Sequence, residues 1–128
     1  MKLSVLVVDD DPIQRAIVCE VLSPAYGCEE AADGDEALKR LAKGAVDLVI
    51  VDMLMPEKDG IETIAAIRSR WPTIRIIAIS GGGASLPSRY LLDTAKAVGA
   101  DAVMDKPLSR TALPGLVAEV LAEGRGAD

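Results

Sequence analysis

The sequence contains no histidine and no phenylalanine, and it has only one tryptophan and two tyrosines among its 128 residues. Without histidine, the chain has neither an imidazole base to activate a serine or cysteine nucleophile nor a histidine ligand for a metal. It also has no histidine of its own to carry a phosphoryl group. Any chemistry must therefore use aspartate, serine or lysine side chains.

Cysteine and positive charge are also scarce. Cys19 and Cys28 form no CxxC pattern, so we expect reduced, partly buried thiols. The net charge is −6 and no run of Lys or Arg exceeds two residues, which argues against binding to nucleic acid. The apolar run Leu3–Val8 is too short for a signal-peptide core, and no run reaches the length of a membrane span. We expect a cytoplasmic protein that binds neither nucleic acid nor membranes.

Half of the residues are apolar, and five short apolar runs rich in Val and Ile stand out along the chain. Longer segments with helical periodicity separate these runs, and this alternation is typical of repeated βα units. The expected class is an α/β fold with a parallel sheet covered by helices on both faces. The length fits one domain, which we place at residues 1–123 without an output domain, followed by a frayed tail at 124–128.

The patterns also predict the bounds of the elements. Strands are expected near Leu3–Val8, Cys28–Ala31, Leu48–Val51, Ile74–Ile79 and Ala102–Met104. Helices are expected from Pro12 to a stop at Ser23-Pro24, over Asp35–Ala42, from Gly60 to Trp71-Pro72, and over Ser88–Val98. Ser109 is a candidate cap for a fifth helix, but Pro114 and Gly115 disturb its opening turns, which predicts a start near Pro114.

Charged and polar side chains follow four of the predicted strands. These strand-end residues are Asp9, Asp10, Asp11, Asp52, Ser80 and Lys106. In an open parallel sheet the carboxyl ends of the strands meet at one edge, so residues distant in sequence converge there. Several carboxylates at one edge repel each other unless a cation or proton is present, which predicts a divalent metal site. The alternative for any single aspartate is a turn or a helix cap.

This combination of side chains suits phosphoryl transfer. Carboxylates can hold Mg²⁺ while one of them attacks phosphorus, and a hydroxyl and an ammonium group can bind the transferred oxygens. The glycine-rich segment Gly81–Pro87 has neither a Walker nor a GxGxxG pattern, so we interpret it as a loop.

The motifs that contain these residues resemble those of response-regulator receiver domains of two-component signalling. They are Val7-Val8-Asp9-Asp10, Asp52-Met53-Leu54-Met55-Pro56 with Asp59-Gly60, Ile79-Ser80, Gly99-Ala100-Asp101 and Lys106-Pro107. Their order and spacing extend the resemblance over nearly the whole chain. The resemblance implies a flavodoxin-like, doubly wound sheet of five parallel strands in the order 2-1-3-4-5, flanked by five helices.

The resemblance also implies roles for the site residues. Asp52 would accept a phosphoryl group from the phosphohistidine of a histidine kinase or a phosphotransfer protein. Asp9, Asp10, Asp52 and the backbone carbonyl of Leu54 would hold Mg²⁺. Ser80 and Lys106 would contact the phosphoryl group, and the isomer of the peptide before Pro107 stays open. The signal would then pass to an unidentified protein.

Three departures from the family pattern stand out, the first of which is Pro114-Gly115 in the fifth helix, a helix that commonly helps to form the partner face. The segment that contains Val103 has no aromatic residue facing the output surface, and the stretch from Ser80 to Lys106 is a few residues longer than usual, with the surplus in Gly81–Pro87.

Two other functions remain open at this point. Asp9-x-Asp11 matches the DxD opening of haloacid-dehalogenase phosphatases, with Asp9 as nucleophile, but the late acidic pair of that family is missing. A pseudo-receiver that binds partners without phosphorylation is the second alternative, and it would normally have a damaged acceptor set.

Overall fold

The computed structural model describes residues 2–53, 60–80, 88–106 and 109–123, with residues 88–92 described by their backbone. Five strands alternate with five helices in these ranges. The strands are β1 (Ser4–Val8), β2 (Gly27–Ala31), β3 (Leu48–Asp52), β4 (Arg75–Ser80) and β5 (Ala102–Asp105). The helices are α1 (Pro12–Leu22), α2 (Gly34–Leu41), α3 (Gly60–Arg70), α4 (Ser88–Val98) and α5 (Ala112–Ala122).

The five strands form one sheet in the order β2-β1-β3-β4-β5, and every neighbouring pair is parallel. The α/β class and the strand order implied by the resemblance are thus confirmed. The chain order reverses between β1 and β3, where Val8 lies opposite Val51. The residues that follow these two, Asp9 and Asp52, therefore meet at the carboxyl edge of the sheet.

The central strands β1, β3 and β4 are buried on both faces, which explains their apolar runs, whereas the edge strand β2 is largely exposed and contains two glutamates. On one face, Leu6, Val49 and Ile76 pack in a cluster with residues of α2, α3 and α4. On the other face, Ile50 and Ile77 pack with residues of α1 and α5. The buried residues of both clusters are aliphatic apart from Met53, and the aromatic residues Trp71 and Tyr26 pack against the clusters only as partly buried side chains.

The fifth helix begins earlier than predicted, at Ala112. Pro114 lies in its first turn, where backbone N–H groups have no partner within the helix and a missing N–H costs little. The Oγ of Ser109 accepts hydrogen bonds from the N–H groups of Thr111 and Ala112 at 3.3 and 3.0 Å. The N-cap position itself is Thr111, which makes no side-chain cap bond, so Ser109 supports the start of the helix from two residues before the N-cap, and the proline does not delay the helix.

The two cysteines lie on neighbouring elements, Cys19 on α1 and Cys28 on β2, and both are free and half-buried. Burial raises the pKa of the Cys19 thiol and raises the pKa of the Cys28 thiol to about 12. Both thiols are therefore protonated near neutral pH, which makes them weak nucleophiles. This agrees with the expectation of reduced, partly buried thiols.

No helix in the described ranges combines the length and the apolar composition that a membrane span needs.

Gly60 lets the start of α3 approach the end of β3 closely. A Cβ at this position would lie 2.6 Å from Cα of Met53 and 2.7 Å from the carbonyl oxygen of Asp52. These are backbone atoms, so neither can rotate away. We expect Gly60→Ala to lower the free energy of unfolding, measured by urea denaturation, by about 1–3 kcal/mol.

Gly115 in α5 provides the matched control for this substitution. A Cβ there would meet no atom of the described residues within 4 Å. Gly115→Ala should therefore stabilise the protein by about 0.5–1 kcal/mol, because it replaces a helical glycine without a clash. Equal effects of the two substitutions would contradict the close approach at Gly60.

Candidate functional site

Three aspartates gather where β1 and β3 end. One carboxylate oxygen from each of Asp9, Asp10 and Asp52 lies within 4.8 Å of the other two. Asp9 and Asp52 are only 7% and 6% exposed, whereas Asp10 is exposed to solvent. The cluster thus combines two buried carboxylates with one, Asp10, that solvent and ions can reach.

Lys106, which directly follows β5, faces two of these carboxylates. Nζ of Lys106 lies 3.5 Å from Oδ1 of Asp52 and 3.9 Å from Oδ2 of Asp9. Its backbone N–H donates to the carbonyl oxygen of Ser80 at 3.0 Å, which fixes the chain just after β5. The ammonium group therefore offsets part of the repulsion between the two buried acids.

Ser80 is the last residue of β4 and is completely buried. It lies opposite Asp105 of β5, the residue before Lys106. On its other side, the preceding residue Ile79 lies opposite Asp52 of β3. The register therefore places Ser80 between the strand that ends in Asp52 and the strand that leads to Lys106, as the sequence predicts.

Asp9 is held in an unusual electrostatic environment. Burial raises its pKa from the ordinary value of 3.8 to about 6, and the charges of Asp52 and Asp10 act in the same direction. The backbone N–H of Asp11, which donates to Oδ1 of Asp9 at 2.9 Å, and the ammonium of Lys106 lower the pKa. Without a cation, this carboxyl group thus takes up a proton more readily than an ordinary aspartate.

Asp11 has a different role from its two acidic neighbours. It is the N-cap of α1, and its Oδ1 accepts the N–H of Ile13 at 2.9 Å. This confirms the interpretation of Asp11 as a helix-start residue.

The donor set fits a hard divalent cation. Three carboxylates are grouped closely enough to share an ion, and the exposed side leaves room for water ligands, which Mg²⁺ retains in most protein sites. The remaining expected ligand, the carbonyl of Leu54, lies outside the described residues, as do the loop Gly81–Pro87, Pro107 and the tail at 124–128.

The raised pKa of Asp9 predicts how pH affects the metal-free protein. Its pKa is about 6 in the folded chain against 3.8 ordinarily, so the folded state retains a proton that the unfolded state has lost. The stability from that proton is complete below about pH 4 and is lost as the pH rises through 6. Asp9→Asn cannot ionise, so it should be more stable than the wild type by up to about 3 kcal/mol at pH 8.

Urea denaturation in a metal chelator between pH 4 and pH 8 measures this difference. The two proteins should be similar in stability at pH 4 and diverge as the pH rises. Saturating Mg²⁺ should reduce the advantage of Asp9→Asn at pH 8, because the ion binds the ionised carboxylate. A constant difference across the range would contradict the raised pKa.

A parallel sheet in this strand order with three aspartates at its carboxyl edge is the arrangement of the class of signalling domain that the motifs resemble, and comparison with known proteins agrees. Residues 5–118 match the family model of the response regulator receiver domain. The chain therefore belongs to the response-regulator receiver family of two-component signalling, as the sequence motifs indicate. Members of this family are typically phosphorylated on aspartate and generally bind Mg²⁺ at an acidic pocket.

Individual relatives support the same assignment. The chain is 35% identical over 122 residues to the two-component response regulator ORR41 of Oryza sativa subsp. japonica, with 91% of this chain and 93% of that protein covered. It is 33% identical over 112 residues to the sensor histidine kinase RcsC of Salmonella typhi, with 87% of this chain covered. The match spans only 11% of that kinase's length.

A solved structure is also closely similar. The chemotaxis protein CheY4 of Vibrio cholerae superposes with a TM-score of 0.82 at 32% identity, covering 94% of this chain and 99% of that one.

One residue near the site was missed by sequence reasoning. Arg15 lies on α1, yet its guanidinium group donates to the backbone carbonyl of Asp9 at 2.7 Å. An arginine on an amphipathic helix normally faces solvent, so neither its type nor its spacing distinguishes it from a surface charge.

Proposed function

We propose that this chain accepts a phosphoryl group on Asp52 from the phosphohistidine of a histidine kinase or phosphotransfer protein, in a Mg²⁺-dependent reaction. Asp9, Asp10, Asp52 and the carbonyl of Leu54 would hold the ion. Ser80 and Lys106 would contact the transferred group. The observation that carries this proposal is the buried Asp52 carboxylate, grouped with Asp9 and Asp10 and lying 3.5 Å from the ammonium of Lys106.

In the proposed reaction a carboxylate oxygen of Asp52 forms a bond to phosphorus as the bond from phosphorus to the donor's imidazole nitrogen breaks. The nitrogen keeps the electron pair and is protonated, and the product on the chain is an acyl phosphate. Bound Mg²⁺ supplies charge neutralisation for the phosphoryl oxygens.

The chain's own residues support three parts of this reaction. The burial of Asp52 limits the access of water to the product. Lys106, which already faces Asp52, is placed to pair with a phosphoryl oxygen once the carboxylate charge is masked. Ser80, at the end of the adjacent strand, provides a hydroxyl that can donate to a second oxygen.

The phosphatase alternative is less well supported by the geometry. Oδ1 of Asp9 already accepts the backbone N–H of Asp11, and the side chain of Asp11 caps α1, so the pair does not act as two free carboxylates. Nζ of Lys106 also lies closer to Asp52 than to Asp9. The pseudo-receiver alternative is disfavoured because the chain has every residue type that phosphorylation would need here, namely the three aspartates, Ser80 and Lys106.

Treatment of the full chain with Mg²⁺ and phosphoramidate, a small donor with a phosphorus–nitrogen bond, tests the proposal. Intact-protein mass spectrometry should detect one added phosphoryl group. Borohydride converts an aspartyl phosphate to homoserine, so peptide mapping then identifies the acceptor. Homoserine at Asp52 is expected. Modification at Asp9 would support the phosphatase instead, and no modification in the presence of Mg²⁺ would overturn the proposal.

A further inference from the structure

Arg15 makes two contacts that link α1, the end of β1 and the edge strand β2. Its Nη1 donates to the carbonyl oxygen of Asp9 at 2.7 Å, and its Nε donates to Oε1 of Glu30 at 2.9 Å. The Arg15 side chain is only 16% exposed, which is low for an arginine near the surface. Its guanidinium is thus held between a backbone carbonyl and a carboxylate.

These contacts complete a double attachment of Asp9 to β2. The N–H of Asp9 donates directly to the carbonyl oxygen of Ala31 at 3.1 Å. The carbonyl of Asp9 is connected to the preceding residue of the same strand, Glu30, through Arg15. Both backbone polar groups of Asp9 are therefore anchored to the end of β2.

The carbonyl of Asp9 belongs to the same planar peptide group as the N–H of Asp10. A hydrogen bond to that carbonyl therefore limits rotation of the peptide that joins Asp9 to Asp10. The orientation of this peptide sets ψ of Asp9 and φ of Asp10, and these two torsions determine the direction of one side chain relative to the other. Of the two, Asp10 is exposed and has little packing to hold it.

We infer that Arg15 is a positioning residue for Mg²⁺, which orients the peptide between Asp9 and Asp10, and that Glu30 holds its guanidinium in place. This inference depends on the proposed function, since it concerns the same ion. Mg²⁺ requires near-ideal octahedral geometry, so ligands that are free to turn bind it less tightly. Partners of metal ligands typically contribute about 10- to 100-fold to metal affinity.

Charge and geometry make opposite predictions for the loss of Arg15. A positive charge near the acidic cluster repels a cation, so a purely electrostatic role predicts tighter Mg²⁺ binding after Arg15→Gln. A positioning role predicts weaker binding. The double variant Arg15→Gln/Glu30→Gln keeps the net charge of the wild type, because it removes one charge of each sign, and only the positioning role predicts that it too binds weakly.

Isothermal titration of Mg²⁺ into the full-length chain measures these affinities. We expect Arg15→Gln and the double variant to raise the Kd for Mg²⁺ by about tenfold or more. Arg15→Lys, which keeps one donor within reach of the Asp9 carbonyl, should recover part of the affinity. A matched control removes the exposed ion pair between Arg110 and Glu20, Nη1 to Oε1 at 2.9 Å, and should leave the Kd unchanged.

Phosphorylation by phosphoramidate gives a second readout. The Mg²⁺ concentration at half-maximal rate should rise with the Kd in Arg15→Gln, whereas the rate at saturating Mg²⁺ should stay within about twofold of the wild type, because no residue that contacts phosphorus has changed. A general loss of structure would instead lower the maximal rate.

The outcomes separate this inference from the proposed function. If the wild type binds Mg²⁺ and both Arg15→Gln and the charge-neutral double variant bind it with the same Kd, the inference is wrong and the proposed function stands. If the wild type binds no Mg²⁺, both are wrong. Should urea denaturation show that Arg15→Gln is unfolded, Glu30→Gln decides when titrated at high ionic strength, where the loss of one partly exposed charge is screened. A Kd raised by about tenfold there supports the inference, and an unchanged Kd overturns it.

Discussion

We expect Asp52→Asn to abolish phosphorylation of the chain by phosphoramidate and Mg²⁺. The amide has nearly the shape of the carboxylate, so the buried site at the end of β3 can keep its packing. It has no anionic oxygen to attack phosphorus, however, and neutral amides are poor nucleophiles. Intact-protein mass spectrometry at times when most of the wild type is modified should show no added phosphoryl group.

Asp11→Asn is the matched control for this substitution. It makes the same change from acid to amide two residues after Asp9, and asparagine serves about as well as aspartate as an N-cap. We expect it to be phosphorylated at a rate within about twofold of the wild type. If Asp52→Asn accepts the phosphoryl group as readily as Asp11→Asn does, Asp52 is not the acceptor.

The sequence predicts most of the fold because each central strand is marked by its own apolar run. Apart from Ser4 at the start of β1, every residue of β1 and β3 is apolar until the acids begin, and residues on both faces, such as Val5 and Leu6, are fully buried. A strand that is buried on both faces must have helices on both sides, and parallel strands need crossover helices between them. Strand order has no comparable local signal, so it followed only from the family resemblance.

The candidate site was predictable for a related reason. Asp9 directly follows β1 and Asp52 is the last residue of β3, so the parallel topology alone brings them to one edge. The side chains that support them were not predictable, because their contacts are made across the fold. Arg15 reaches the backbone of Asp9 and a carboxylate of β2, and Gly60 is needed because α3 starts against the backbone of β3.

The predicted start of α5 near Pro114 was wrong for a different reason, since the helix begins at Ala112. In the sequence, Pro114 was interpreted as an interruption of the helix. The free-energy cost of a proline depends, however, on its position within the helix. In the first turn its missing N–H has no partner to lose. Ser109, which precedes the N-cap residue Thr111, accepts the N–H of Ala112 with its hydroxyl, so both residues are compatible with a helix that begins at Ala112.

Lys106→Met should have opposite effects on Mg²⁺ binding and on phosphorylation. The ammonium of Lys106 lies 3.5 Å from Asp52 and 3.9 Å from Asp9, so it competes with a cation for the same two carboxylates. Its removal should tighten Mg²⁺ binding by about three- to tenfold, in keeping with a partly exposed ion pair. Phosphorylation should become about 100-fold slower, because a positive charge beside the transferred group is lost.

Titration of Mg²⁺ by calorimetry and the phosphoramidate reaction at saturating Mg²⁺ measure the two effects on the same preparations. Lys96→Met is the control, since it removes an equal charge from an exposed position in the last turn of α4. It should change neither quantity by more than about twofold, because exposed charges at a distance are screened.

If Lys106→Met weakens Mg²⁺ binding, the lysine supports the acidic cluster only structurally. If it tightens binding and leaves the rate unchanged, Lys106 does not contact the transferred group. A combination of tighter binding and slower transfer requires that the same ammonium faces the carboxylates before phosphorylation and the phosphoryl oxygens during it.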